Sequence, residues 1–364
     1  MIYPDMLLAP SGCAIAIFIL LMAVAVPVRA HAAPFPGDSW EARAPAHLAL
    51  DAGALDRLAE GLGGRGCVIK DGIMVKTWGD PSERSDWLSS VKPVFSTLLF
   101  LAIEEGRVPT VHHPIADLGW DLKGEDRDMT FVHLMNMTSG YARPEKPGAA
   151  WAYNDFAIQL YQKSLFEKVF RQNPTEVLRS RLGMLQFQDD PVFREDKPRL
   201  LASARDFARL AWLWCQNGAW QDRRVLPESY FVSYMKPQTP ADLPPTAGED
   251  TGDYLEIGSF GGGSDHFTAY GAGIYGSNWW FNETGRLHPD RATWPDAPRD
   301  TVMSIGAGGN NAVIIPSLNL VLVSAKGDWG KLAAGEVDSK FHLHIKLLVQ
   351  AVQGPDRPED GHRQ

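Results

Sequence analysis

The chain has 364 residues, of which 45% are hydrophobic and 22% are charged, and its formal net charge at pH 7 is -9. These values are ordinary for a globular protein with a sizeable core. An acidic chain with no basic run gives no support for nucleic acid or an anionic membrane surface as partner.

The first 32 residues have features of an export signal. An apolar stretch over residues 13–28 is followed by residues 30–32, Ala-His-Ala, which fit a small-residue cleavage site. The segment before the stretch contains Asp5 and no Lys or Arg, so an uncleaved membrane anchor is the alternative. We therefore predict an exported, periplasmic or extracellular protein that contacts a membrane only if residues 1–32 stay attached.

A helix and then a hairpin are predicted after this leader. Residues 51–61 have an amphipathic helical pattern, and in residues 67–78 an Asp-Gly pair at 71–72 supplies the positive φ angles of a type I′ turn. Cys67 lies in the first strand of this hairpin and Cys215 lies in a later Trp-rich helix. We predict two buried thiols rather than a disulfide.

Residues 87–106 predict one buried helix with a reactive pair at its start. Apolar residues recur at helical spacing from Val94 to Ile103, and Ser89 and Lys92 precede them three residues apart, on one helix face. A lysine whose pKa is lowered by burial can take the proton of a serine hydroxyl. The N–H groups of a helix N-terminus can also stabilise an oxyanion. This pair is the candidate nucleophile and its partner.

From about residue 107 to 260 we predict a helical insertion. Ser203 is a cap for a helix over residues 204–215, and residues 237–265, rich in Pro, Gly and Asp, are typical of a surface loop. A second Ser-x-x-Lys match at residues 233–236 opens no long apolar run, so we interpret it as a chance match.

Strands return in the last third of the chain. We predict strands near residues 270–281, a hairpin formed by residues 312–315 and 320–325, a last helix over residues 337–352, and a disordered tail over residues 354–364.

Strands at both ends of the chain with helices between them predict an α+β domain over residues 33–353. Its sheet must be assembled from distant segments, mostly antiparallel, with helices packed on it as in an α/β sandwich.

Two further segments carry candidate site residues. Tyr153, in Trp-Ala-Tyr-Asn-Asp, has a phenol that can act as base or proton shuttle beside a buried lysine, and Asn154 or Asp155 can hydrogen-bond the lysine or the substrate. The glycine-rich run at 304–311 leads into a strand, and an edge N–H there can face Ser89 as a second oxyanion donor. The candidates of this run are Gly308, Gly309 and Asn310.

The order of these segments resembles the serine β-lactamase and penicillin-binding protein family, specifically its class C-like branch of esterases, D-amino-acid peptidases and carboxypeptidases. The resemblance spans roughly residues 50 to 350. It implies that Ser89 is the acylated nucleophile, that Lys92 shares its proton, and that Tyr153 is the general base. It also implies an antiparallel sheet flanked by helices, an all-helical subdomain, and a catalytic cleft between them.

Three departures from the family pattern bear on function. Asp155 stands where the family usually has Asn, and its charge favours the protonated form of Lys92. No lysine precedes Gly308 and Gly309, so the cation that receives a substrate carboxylate in the family is missing. Pro93 is tolerable only in the first turn of a helix.

The missing lysine favours esters or neutral amides as substrates, because a carboxylate would lose a charge-assisted partner worth about 1.5 to 3 kcal/mol. We therefore expect an exported serine hydrolase acting through an acyl-enzyme on a small ester, amide or peptide. Four aromatic residues that suit an apolar group near the cleft are Trp151, Tyr275, Trp279 and Trp280.

Two alternatives remain at this point: a D,D-carboxypeptidase or weak β-lactamase, and a non-catalytic member that binds peptidoglycan or a partner protein. No histidine pair shows metal spacing with an acidic partner, so we predict no metal and no cofactor. The sequence does not indicate an oligomeric state.

Overall fold

The computed structural model describes residues 35–197, 199–248, 252–261, 267–332 and 334–353. The predicted leader (1–32) and tail (354–364) lie outside these residues. None of the helices in the described ranges is long and apolar enough to span a membrane.

The described residues contain twelve strands and seven α-helices. The strands are β1 (Arg65–Lys70), β2 (Ile73–Trp78), β3 (Ser85–Asp86), β4 (Val192–Phe193), β5 (Leu200–Ala202), β6 (Ala219–Trp220), β7 (Arg223–Arg224), β8 (Tyr275–Gly276), β9 (Trp279–Phe281), β10 (Val302–Gly306), β11 (Asn310–Ile315) and β12 (Leu320–Ala325). The helices are α1 (Ala52–Leu62), α2 (Lys92–Glu104), α3 (Phe131–Met135), α4 (Asp155–Lys163), α5 (Pro174–Leu182), α6 (Ala204–Cys215) and α7 (Lys340–Gln353). Short 3₁₀ and π-helical segments lie between them, at Pro45–Leu48, Leu88–Val91, Ile115–Leu118, Gly124–Asp128, Ser164–Phe170, Gly183–Leu185, Tyr230–Tyr234, Ala307–Gly309 and Pro316–Leu318.

A central antiparallel sheet is assembled from both ends of the domain, as predicted. Its seven strands lie in the order β2, β1, β12, β11, β10, β9, β8. Strand β1 pairs with β12, with Arg65 opposite Ala325 and Lys70 opposite Leu320. Helix α6 packs on β1, β11 and β12, and α1 packs against α7. The α+β architecture predicted from the order of elements is confirmed.

The local predictions that rest on turn and cap chemistry are confirmed. Asp71 and Gly72 have φ angles of 51° and 79°, as the turn between β1 and β2 requires. The Ser203 hydroxyl accepts a hydrogen bond from the Asp206 N–H at the start of α6. The β11–β12 hairpin also lies where it was predicted, and Cys67 and Cys215 are buried free thiols.

The buried helix predicted over residues 87–106 is broken into two parts. Leu88–Val91 is a 3₁₀ turn, and α2 begins at Lys92, whose N–H donates to the Ser89 carbonyl. Pro93 has no N–H to continue the ladder, so it is confined to the first turn of α2. Ser89 and Lys92 are therefore related by an i to i+3 turn of 3₁₀ type.

Strand β10 was not predicted. All five of its residues are buried, and it lies between β9 and β11 in the sheet. A strand buried on both faces lacks the alternation of apolar and polar residues that marks a half-exposed strand. This strand leads into the turn that faces Ser89.

Candidate active site

The turn that carries Ser89 is held by contacts on both sides. The Trp87 N–H and indole Nε1–H donate to the Leu200 and Ala202 carbonyls of β5, at 2.9 Å each. Leu88 has a φ of 47°, which is unfavourable for a residue with a Cβ, and its N–H donates to the Asp86 carboxylate at 2.9 Å. This unusual backbone leaves Ser89 only half-buried, at the wall of a cavity.

Lys92 and Tyr153 form a buried pair behind the serine. The two residues are 1% and 3% exposed, the Lys92 amine donates a hydrogen bond to the Tyr153 hydroxyl, and the amine lies 4.3 Å from the centre of the tyrosine ring. A hydrogen bond also joins the hydroxyls of Ser89 and Tyr153. The three predicted catalytic groups therefore form one continuous chain of hydrogen bonds.

Burial favours the uncharged form of both members of this pair. Loss of solvation lowers the pKa of Lys92 to about 7, although the nearby Asp155 carboxylate raises it in part. Loss of solvation also raises the pKa of Tyr153 far above its ordinary value, against a smaller lowering by the Ser89 hydrogen bond. From the sequence we considered two bases, a lysine whose pKa is lowered by burial and a tyrosine beside a buried lysine. In the structure the phenol is neutral, and the amine, with a pKa of about 7, is about half neutral at pH 7.

Adjacent residues of one segment have separate roles at the start of α4. The Asn154 side chain caps the helix by accepting from the N–H groups of Phe156 and Ala157, and its amide donates to the Tyr141 carbonyl. Asp155 is 3% exposed and lines the cavity at Ser89. Of the two candidates that the sequence left open, Asp155 is the one placed beside the reactive groups.

Two adjoining cavities lie in front of Ser89. The smaller, of 220 Å³, is lined by Ser89, Tyr153 and Asp155, together with the apolar side chains of Leu88, Phe260, Phe267 and Ile305. The larger, of 560 Å³, shares Phe267, Ile305 and Ala307 with the smaller and extends to Trp329 and Phe341. A substrate can thus place its reacting bond at Ser89 and reach from one cavity into the other.

The glycine-rich run forms the wall opposite the serine, but its residues are distributed unevenly. Ala307 lines both cavities, whereas Gly308 and Gly309 line only the larger one. The Asn310 side chain donates to the Ala307 carbonyl and accepts from the Lys326 N–H. These two hydrogen bonds stabilise the turn at Ala307–Gly309.

Gly306, at the end of β10, is required by close packing. A Cβ at this position would lie 2.6 Å from the Trp87 carbonyl and 2.9 Å from the Ser90 nitrogen. The Ser90 hydroxyl in turn donates to the Asn310 carbonyl. The strand end therefore packs directly against the backbone of the nucleophile turn.

One cation in the small cavity was not identified from the sequence. Arg199 lines this cavity, and its guanidinium forms an ion pair of 2.9 Å with Asp86, the residue that also accepts from Leu88. Arg199 lies 110 positions after Ser89 in a polar loop, and no local pattern marks it. Although the lysine that the family has before its glycines is missing here, Arg199 can therefore bring a positive charge to the small cavity from another segment.

Solved structures share this architecture at low sequence identity. A penicillin-binding protein homolog from Caulobacter crescentus is 13% identical, with a TM-score of 0.58, over 82% of this chain and 97% of that one. EstCE1, a hydrolase with promiscuous acyltransferase activity, is 12% identical, with a TM-score of 0.59, over 85% and 99% of the two chains. A class C β-lactamase from Rhodobacter sphaeroides is 16% identical, with a TM-score of 0.52, over 83% and 99%.

The chain has the serine β-lactamase and penicillin-binding protein fold. No protein-family model and no curated protein sequence matches it.

In this β-lactamase-like fold, the four aromatic residues expected at the cleft lie behind it. Trp151, Tyr275, Trp279 and Trp280 are fully buried, and none of them lines either cavity at Ser89. Trp280 stacks on Tyr153 with ring centres 6.5 Å apart, so Trp280 helps to hold the Tyr153 phenol in place. The cavity surface is supplied by Phe260 and Phe267 instead.

The remaining candidates also have structural explanations. Ser233 and Lys236, the second Ser-x-x-Lys match, are both exposed. His342 and His344 bond to the Asp296 carboxylate and the Asp328 carbonyl, respectively. Within the described residues, no cluster of three or more His, Cys, Asp or Glu side chains has a geometry suited to a metal ion.

Proposed function

We propose that this chain is a serine hydrolase that forms an acyl-enzyme on Ser89 and cleaves small esters or amides. The observation that carries the proposal is the buried hydrogen-bonded chain from Ser89 through Tyr153 to Lys92, in which the amine has a pKa of about 7. A base with a pKa near the working pH combines an available lone pair with a useful driving force for proton transfer. Structural neighbours named as a hydrolase and as a class C β-lactamase support the same reaction class.

The acylation step follows from this arrangement. The Ser89 oxygen attacks the substrate carbonyl carbon, and its proton passes to the Tyr153 oxygen. With Lys92 neutral, the Tyr153 hydroxyl turns to donate its own proton to the free lone pair of the amine. Collapse of the tetrahedral intermediate breaks the bond to the leaving alcohol or amine, which takes a proton back along the same path. Water then attacks the acyl-enzyme by the same sequence, which releases the acid and restores Ser89.

The oxyanion of the intermediate requires fixed donors next to Ser89. We assign this role to the backbone N–H groups of Ser89 and Ala307, because Ala307 follows the end of strand β10 in the glycine-rich run and lines the small cavity. Gly308, Gly309 and Asn310 then support the turn and the neighbouring cavity, and Asp155 tunes the pKa of Lys92.

The small cavity suits a short apolar group. Its volume is 220 Å³, and Leu88, Phe260, Phe267 and Ile305 give it apolar walls. We expect aryl esters with short acyl chains to be cleaved with higher kcat/KM than those with long chains. We also propose that residues 1–32 direct export, which N-terminal sequencing of the secreted protein tests.

Arg199 supports the alternative of a D,D-carboxypeptidase or weak β-lactamase, since its guanidinium lines the small cavity and can receive a carboxylate. Its ion pair with Asp86 competes for this role, which is why we rank the ester or neutral amide first. Comparing an aryl ester with a chromogenic cephalosporin separates the two. Hydrolysis of the cephalosporin alone, lost in Arg199→Gln, would establish the alternative.

Intact-mass spectrometry with a fluorophosphonate probe tests the proposal as a whole. The wild-type chain should gain one adduct, and peptide mapping should place it on Ser89 and not on Ser90. Ser89→Ala should gain none, whereas Ser233→Ala, the exposed serine of the second motif, should react like wild type. A folded wild-type chain that gains no adduct would refute the proposal in favour of a non-catalytic binding protein.

A further inference from the structure

The larger of the two cavities at Ser89 has no role in the proton transfers. Its volume is 560 Å³, and it lies between the turn at the end of β10, residues 327–332 and the start of α7. It shares Phe267 and Ile305 with the smaller cavity, but neither Ser89 nor Tyr153 lines it. It therefore offers a binding surface that adjoins the reacting groups without containing them.

The inner wall of the larger cavity is apolar and aromatic. Trp329, Leu332 and Phe341 line it and are buried, and the rings of Trp329 and Phe341 lie 5.1 Å apart. The Trp329 indole N–H already donates to the Ser324 hydroxyl at 2.8 Å, so this side chain has no free hydrogen-bonding group to offer. Such a wall favours a flat apolar group.

The charged side chains of this cavity are in contact with solvent. Asp328 and Lys331 both line the cavity and are exposed, and Asp328 pairs with Lys340. An ion pair between a ligand and Lys331 would be weakened by the surrounding water. Deeper in the cavity, the side-chain oxygen of Asn311 accepts from the Gly306 N–H at 3.0 Å. The cavity thus suits a neutral group better than a charged one.

The sizes of the two cavities divide a substrate between them. The smaller cavity, of 220 Å³, contains Ser89 and receives a short acyl group under the proposed function. The other side of the scissile bond must then extend past Phe267 and Ile305, which line both cavities, into the larger one. From there the released group can leave past the exposed Asp328 and Lys331, while the acyl group stays on Ser89.

We propose that the larger cavity binds the leaving group of the substrate, and that this group is a neutral alcohol or amine with an aromatic ring on a short alkyl chain. The ring lies against Trp329 and Phe341, and the alkyl chain runs past Phe267 to the carbonyl carbon at Ser89. This assignment rests on the proposed hydrolase function and names its substrate class.

The test compares the acetates of ethanol, butan-1-ol and 4-phenylbutan-1-ol, with the release of acetic acid followed in a pH-stat. All three esters form the same acetyl-enzyme, and their alcohols have similar acidity, so a difference in kcat/KM reports how the leaving group is bound. We expect kcat/KM for 4-phenylbutyl acetate to exceed that for ethyl acetate by about tenfold or more, with butyl acetate between them. Equal values for the three esters would overturn the assignment.

An isomeric ester shows which side of the bond the larger cavity serves. Ethyl 4-phenylbutanoate has the composition of 4-phenylbutyl acetate but carries the ring on the acyl group. We expect its kcat/KM to be no higher than that of ethyl acetate. A preference for this isomer over 4-phenylbutyl acetate would show that the larger cavity holds the acyl group, which contradicts the proposal.

Variants of the cavity wall locate the effect. Leu332→Trp places a larger ring in the cavity and should lower the preference for 4-phenylbutyl over ethyl acetate about tenfold, whereas Leu287→Trp, at a position that is 54% exposed and lines neither cavity, should leave the preference unchanged. Tyr270→Ala removes part of the wall at a half-buried position and should also lower the preference. It keeps the test decisive if Leu332→Trp does not fold. An unchanged preference in Tyr270→Ala, or in a folded Leu332→Trp, would contradict the assignment.

The same measurements separate this assignment from the hydrolase proposal. A chain that cleaves all three acetates equally keeps the hydrolase proposal and loses the assignment of the larger cavity. A folded chain that cleaves no ester and takes up no fluorophosphonate loses both.

Discussion

Asp155→Asn should extend the activity of this protein to lower pH. The Asp155 carboxylate raises the pKa of Lys92, which burial otherwise lowers, and the outcome is a pKa of about 7. Removing the negative charge should therefore move the pKa of Lys92 below 7. If the neutral amine is the form that accepts the proton of Ser89, the acid limb of the pH profile should move in the same direction.

The size of the effect follows from the fraction of neutral amine. With a pKa of about 7, only about one tenth of Lys92 is neutral at pH 6, and nearly all of it is neutral at pH 8.5. The variant can therefore gain at most about tenfold in kcat/KM at pH 6 and almost nothing at pH 8.5.

The assay is hydrolysis of a short-chain aryl ester, followed as kcat/KM from pH 5.5 to 9, because kcat/KM reports the pKa values of the free enzyme. Asp222→Asn, a substitution of the same kind at an exposed position in the turn between β6 and β7, should leave the profile unchanged. An acid limb that stays in place or moves to higher pH in Asp155→Asn would refute the reasoning. It would show that the neutral Lys92 amine is not the group that accepts the proton of Ser89.

Three further outcomes are expected. Gly306→Ala places a Cβ within 2.9 Å of the nucleophile turn and should lower kcat about tenfold to a hundredfold, whereas Gly183→Ala, which meets no neighbour within 4 Å, should leave kcat unchanged. Between pH 7 and about 10.5, Lys92 binds a proton in the unfolded chain but not in the native one, so the free energy of unfolding rises with pH across that window. Lys92→Met should therefore raise the free energy of unfolding at pH 7 by several kcal/mol. Urea titrations should show that this gain shrinks toward pH 10. Burial raises the pKa of Cys67 and of Cys215 to about 12, so iodoacetamide at pH 8 should label these thiols only after unfolding, and labelling of the native chain would contradict their burial.

Local physical rules were sufficient for several elements. The turn at Asp71 and Gly72 and the cap at Ser203 depend on the conformations and hydrogen bonds of a few consecutive residues, and both lie where the sequence predicts them. The spacing of Ser89 and Lys92 likewise determines that their side chains can meet across one turn. A local property also accounts for the break between the 3₁₀ turn and α2, because Pro93 has no N–H to donate.

Contacts between distant segments were decided by tertiary packing. Tyr153 reaches Lys92 from 61 positions away, and whether the resulting pair is charged depends on burial, which no neighbouring residue in the sequence determines. For the same reason Arg199 was not identified as a residue of the small cavity. Backbone geometry and residue spacing act over one or two turns of chain and are encoded locally. Solvation, and with it the reactivity of an amine or a phenol, is a property of everything that surrounds the group in the folded domain.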